Sequence, residues 1–167
     1  MSERFIEKAS SAVLYSAIIS VILVFILFRS MVPSIAVVVG AASDILIALG
    51  GMGLFGIPFT LPALAALLML IGFSLDTDIL LTMRVLKRSG DPRENAFDAM
   101  KTGMTMSVAA IVAFAVLFLL ASFTHIATYY EISSVALAGL VGDLFATWGI
   151  NAVIILFYLE RKQKVHA

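Results

Sequence analysis

Apolar residues run almost without interruption through five stretches of the chain, 9–28, 33–54, 61–83, 104–122 and 133–158, and the polar residues collect between them. A helix needs about 20 apolar residues to cross roughly 30 Å of hydrocarbon, so each stretch is long enough to span a bilayer. Three breaks are short: Arg29 to Val32, after which Pro33 opens the next helix, Phe55 to Thr60 around Pro58, and Phe123 to Ile132. The fourth, 84–103, is long and charged. Its Asp91 suits an N-cap and Pro92 a first helical position, and Phe97, Met100 and Met104 can form one apolar stripe. That pattern predicts an amphipathic surface helix running into the fourth span. The expected architecture is all-α: a polytopic membrane bundle of five transmembrane helices, forming a single transmembrane domain over residues 1–167.

Composition agrees with a chain that lives in lipid. Hydrophobic residues make up 62% of the 167 positions and charged residues 13%, against roughly one half and one quarter in soluble domains. Eleven Lys and Arg cancel eleven Asp and Glu, so no basic field holds phosphate backbones and nucleic acid is not an expected partner. Without cysteine there are no disulfides, thiolate metal sites or cysteine nucleophiles, and the two histidines, His125 and His166, are too few for a zinc or haem site. No metal, cofactor or enzymatic role is expected.

Charge placement predicts orientation, because cytoplasmic loops carry the excess of Lys and Arg. Arg29, the five basic residues of 84–103 and three in the tail (Arg161, Lys162, Lys164) make nine on one side, against Arg4 and Lys8 on the other. The long loop and the C-terminus are therefore expected in the cytoplasm and the N-terminus of this chain outside. An outside N-terminus with no signal peptide before it implies a further helix upstream in a longer protein.

An ionised carboxylate at the centre of a bilayer helix costs about 3 kcal/mol on insertion scales, so unneeded ones are rare. The spans hold four, Asp44, Asp76, Asp78 and Asp143, and no Lys or Arg among them. They are expected to face the bundle interior or water, or to carry a proton. By position Asp44, Asp76 and Asp143 converge on one midplane cluster. Asp76 and Asp78 lie two residues apart, about 200° around a helix, so they point to different neighbours, one of them toward Ser74, Thr77 or Thr82. The functional reading is a proton or ion relay with Asp76 as its best candidate; the structural alternative is polar glue between helices.

Small residues frame these positions: Ala36 and Gly40 precede Asp44 at four-residue spacing, Gly72 precedes Asp76 by one turn, and Gly139 and Gly142 adjoin Asp143. Thr147 and Asn151 continue from Asp143 as a polar stripe, equally suited to a wet path and to interhelical hydrogen bonds. Thr102 and Thr105 add hydroxyls to the fourth helix. His125, Tyr129, Tyr130 and Glu131 read as an interfacial belt on one side, with Phe28, Phe157 and Tyr158 on the other.

The run GAASDILIALGGMGLFGIPFTLPALAALLMLIGFS from Gly40 to Ser74, continued by LDTDILLTMRVLKR, closely resembles the SecF branch of the SecD/SecF protein-export family within the RND superfamily. The matching features are Asp44, the glycine-rich stretch Gly50–Gly56, Phe59-Thr60-Leu61, Ile71-Gly72-Phe73-Ser74, Asp76 to Asp78 and the basic exit at Arg84; Gly139 to Asp143 looks like the family's last helix. The Asp-Thr-Asp run and the Lys101-Thr102-Gly103 start resemble the archaeal branch. The resemblance implies helices two to six of a six-helix protein, with a large extracytoplasmic domain upstream, in a heterocomplex with SecD. It implies that this complex helps preproteins leave the Sec translocon, driven by the proton-motive force. Two positions depart from the bacterial pattern: Met83 replaces an acidic residue, and Thr102 stands beside Lys101 where an Arg is usual. The expected cationic partner of a carboxylate relay is thus missing.

Two rivals fit less well. Intramembrane aspartyl proteases carry Gly-x-Gly-Asp followed later by Pro-Ala-Leu, whereas here Leu140 occupies the first Gly position and Pro62-Ala63-Leu64 precedes the Asp. An RND-type small-molecule transporter half would share the helical core, and a purely structural scaffold would leave the carboxylates without a titrating role.

Overall fold

The computed structural model describes residues 3–166. Side chains of Lys162, Lys164 and His166, the first two of which enter the charge count, lie outside the described part. Five helices are long and apolar enough to cross a membrane. They are α1 (Glu3–Phe28), α2 (Met31–Leu54), α3 (Leu61–Lys87), α4 (Pro92–Thr124) and a fifth rod made of α5 (Ala127–Phe145), a π-helical turn (Ala146–Asn151) and α6 (Ala152–His166). The described residues contain no strand.

The connections explain why the helices stop where they do. After α1, Arg29 adopts φ 49°, a left-handed conformation that turns the chain within two residues. At the end of α2, Gly56 has φ 64° and Ile57 N–H donates to Met52 O at 2.9 Å, a Schellman-type closure that satisfies the terminal carbonyls. Thr60 caps α3 by accepting from Ala63 N–H, with Pro62 in the first turn. Asp91 caps α4 by accepting from Arg93 N–H, with Pro92 as its first residue, as the sequence predicts. From that cap α4 runs 33 residues without a break, so the surface segment and the fourth span are one helix. The break expected at 123–132 contracts to His125 and Ile126: His125 turns with φ 55°, and Tyr129, Tyr130 and Glu131 already belong to α5. Likewise α3 continues through Lys87, one turn past the expected end of its span.

We refer to the end of the bundle bearing Arg84, Arg88 and Arg93 as the basic end and to the opposite one as the far end. α5 packs against α2, α3 and α4, and α1 lies outside, against α2 and α3. Two apolar clusters fill the interior. Near the far end Met52, Ile57, Leu67, Leu70, Val135 and Leu140 pack together; near the basic end Leu81, Val85 and Ile155 pack among Ala36, Ala96, Ala99 and Ala152. A third cluster seats Val24 and Phe28 of α1 on Val37, Ile71 and Leu75, so Phe28 is a packing residue and not part of an interfacial belt. Between the first two clusters lies a buried layer of polar side chains.

Candidate functional site

Three carboxylates enter this layer from three elements: Asp44 from α2, Asp78 from α3 and Asp143 from the last turn of α5, with exposures of 2%, 0% and 1%. None can reach lipid. Each meets neutral donors. Asp44 Oδ2 accepts from Ser74 Oγ. Asp143 Oδ1 accepts from Thr147 Oγ1 at 3.0 Å, and Thr77 Oγ1 stands 3.2 Å away. Asp78 Oδ1 accepts from Asn151 Nδ2 at 2.5 Å and lies within electrostatic reach of both other carboxylates.

Thr77 illustrates what such a layer can do. Its one hydroxyl proton has Ser74 O at 2.9 Å and Asp143 Oδ1 at 3.2 Å as acceptors. When Asp143 is ionised the proton turns to the carboxylate; when Asp143 is protonated its own O–H can donate to Thr77, whose proton turns back to the helix carbonyl. Both protonation states are thus accommodated by rotating one hydroxyl. Asp44 Oδ1 and Asp78 Oδ2 have no hydrogen-bond partner among the described residues. Thr82 Oγ1, Ser107 Oγ, Trp148 Nε1 and Asn151 Oδ1 are buried and unpartnered too.

No cation enters the layer among the described residues. The two ion pairs, Arg88–Asp98 and Arg93–Glu160, lie at the basic end. Arg84, the first basic residue after the carboxylates on α3, donates through Nη1 to Asp98 O and Thr102 Oγ1, both at 2.9 Å. Thr102 therefore braces the elbow between α3 and α4 and does not join the carboxylates.

Close backbone approach makes the layer compact. A Cβ on Gly40 would lie 2.6 Å from Asp78 Oδ2, and one on Gly142 would lie 2.6 Å from Ile47 Cγ2. The π turn contributes as well. Ala152 N–H donates to Thr147 O, five residues back, and this widened turn lets Thr147 stay on Asp143 while Asn151 reaches across to Asp78. Thr147 and Asn151 thus serve interhelical and local hydrogen bonds from a fully buried stripe.

One expectation is corrected. Asp76 does not converge with Asp44 and Asp143; it is exposed, and Asp78 takes its place. α3 turns Leu70, Ser74, Thr77, Asp78 and Leu81 inward, which leaves Ala65, Met69, Gly72 and Asp76 as a stripe on the outer surface. Gly72 sits on that stripe with nothing within 4 Å of a Cβ built on it. Ser107 of α4 is fully buried as well; Thr102, Thr105 and Ser107 are alike in the sequence, and nothing there marks Ser107 as the one that turns inward, just as nothing marks the π turn.

Comparison with known proteins gives a consistent picture. The family model for the C-terminal part of the protein export membrane protein SecD/SecF matches residues 1–161. A protein-export membrane protein SecF from Methanothermobacter thermautotrophicus is 47% identical over 96% of this chain and 57% of its own length. Those of Methanolacinia petrolearia and Haloferax volcanii are 40% and 47% identical, over 95% and 82% of this chain and 56% and 48% of their own. The chain thus spans about half the length of the curated relatives it matches. No solved structure matches it significantly.

Proposed function

The chain belongs to the SecD/SecF family of protein export membrane proteins, and we propose that it forms the transmembrane core of an export subunit in which Asp44, Asp78 and Asp143 carry protons that couple preprotein movement to the proton-motive force. The observation that supports this reading is the buried layer itself: three carboxylates from separate elements, partnered by hydroxyls and an amide and by no cation. Structural glue would be served by Ser, Thr and Asn alone, without the cost of about 3 kcal/mol that each ionised Asp brings. Asp78 is the pivot, since it contacts the π-helical turn through Asn151, lies beside α2 at Gly40 and has an oxygen without a hydrogen-bond partner. In each cycle a carboxylate would take a proton from one side of the membrane and release it to the other as the helices shift.

The same reading gives the outer stripe of α3 a use. A carboxylate at mid-span cannot rest against hydrocarbon, and Asp76 lies one turn from Gly72, where nothing stands within 4 Å of a Cβ and another helix can approach closely. We assign this face to SecD, with a hydrogen-bond donor or cation of SecD opposite Asp76. The basic end is placed in the cytoplasm, in line with the distribution of Lys and Arg.

The test is export of a preprotein into inverted membrane vesicles carrying a pH gradient, with Asp44→Asn, Asp78→Asn and Asp143→Asn compared at equal abundance. Each variant keeps size and hydrogen bonding and removes titration, so stimulation by the gradient is expected to be lost while assembly persists. If all three variants exported at the wild-type rate, the layer would be structural.

A further inference from the structure

We infer that the far end of the bundle holds the hydrocarbon chain and headgroup of one zwitterionic phospholipid carrying a primary ammonium. Two adjoining cavities form the site. The first, of about 390 Å³, is an apolar trough along α5 between Phe55 and Phe118, floored by Ser134, Ala138 and Val141. From Tyr130 to Val141 it follows one helical stripe about 16 Å long, close to the depth of one hydrocarbon leaflet of about 15 Å. The Phe118 and Tyr130 rings, 5.2 Å apart, form part of its wall. The second cavity, of about 350 Å³, opens at the top of the trough and shares Phe55 and Tyr130 with it; Ser122, His125 and Glu131 stand on its rim.

Size argues for a single chain. A single hydrocarbon chain can seat within the trough, whereas a partner helix 10–12 Å across could only lie over its mouth and leave unfilled space beneath it. Charge selects the headgroup. Among the described residues the rim contains an acid, Glu131, and an imidazole, His125, but no Lys or Arg. Glu131 also accepts a hydrogen bond from Thr60 Oγ1, which anchors it at the mouth. A carboxylate beside an imidazole complements an ammonium joined to a phosphate, whereas a headgroup with only negative charge would meet Glu131 with repulsion.

Native mass spectrometry of the detergent-purified protein tests this, with phosphatidylethanolamine and phosphatidylglycerol of identical chains added in turn. The ethanolamine lipid is expected to be retained roughly fivefold more strongly, the worth of one headgroup charge contact. Glu131→Gln should bring the two lipids to within about twofold, since only the headgroup contact is changed. Val141→Trp should obstruct the inner end of the trough and weaken retention of both, with an unchanged thermal midpoint in lipid-free detergent showing that the fold persists; Ser134→Phe gives the same readout should the first variant not fold. Equal retention of the two lipids by the unaltered protein would overturn the proposal, as would retention unaffected by obstructing the trough. A lipid-free dimer would also overturn it, assigning the groove to a second copy.

Discussion

Removing Asn151 is the sharpest test of how the polar layer holds together. Its Nδ2 donates to Asp78 Oδ1 at 2.5 Å, both residues have zero exposure, and Asp78 Oδ2 is already without a partner. In Asn151→Ala neither Asp78 oxygen keeps a donor, so the loss includes the desolvation of a buried acceptor as well as the bond. Interhelical hydrogen bonds in membranes average about 0.6 kcal/mol and reach about 1.7, while bonds to charged groups in proteins are worth about 1.5–3. Full burial places this pair toward the top of the membrane range, and a coupling of about 1–2 kcal/mol between positions 78 and 151 is expected. A double-mutant cycle with Asp78→Ala and Asn151→Ala, followed by reversible unfolding in mixed micelles, measures it directly. A coupling below about 0.3 kcal/mol, the range in which independent sites simply add, would refute the geometry.

Three further outcomes follow from the packing. Gly40→Ala should destabilise the chain by about 1–3 kcal/mol, because its Cβ would fall on Asp78 Oδ2 and force that side chain from Asn151; micelle unfolding measures the change. Gly72→Ala should leave the chain's stability within about 0.5 kcal/mol, as expected of a substitution with open space around it, yet weaken co-purification with SecD if the outer stripe of α3 is its docking face. Thr128→Cys should react with an impermeant thiol reagent on intact cells while Ser89→Cys stays unlabelled, and the reverse pattern would invert the proposed orientation.

Much of the fold was legible because long apolar runs and the breaks between them are strong local signals: Asp91 with Pro92, the turn around Pro58, and the pause at Arg29 each act over a few residues. What was not legible depends on rotation about a helix axis. α3 is apolar nearly all round, with Leu68, Leu75, Ile79 and Leu80 spread over several faces, so hydrophobicity cannot say whether Asp76 or Asp78 turns inward. That choice is made by the neighbours: Gly40 leaves room for the Asp78 carboxylate and Asn151 supplies its donor. The turn at His125 and Ile126 was similarly hidden, since Tyr129, Tyr130 and Glu131 are polar enough to resemble a loop and yet form the first turns of α5.

The two-residue spacing of Asp76 and Asp78 then acquires a physical sense. At 200° of separation one helix presents a carboxylate to each of two environments, the interior layer and the outer stripe. Any rotation or sliding of α3 that follows a change of charge at Asp78 must move Asp76 as well, because both ride on the same rigid backbone. If the outer stripe is held by a partner, a proton bound inside the bundle becomes a displacement at the interface without any flexible linkage between them. The coupling needs no cation within this chain, provided that the partner supplies the group opposite Asp76, and this is where the missing Arg of the fourth helix ceases to be an obstacle to a relay.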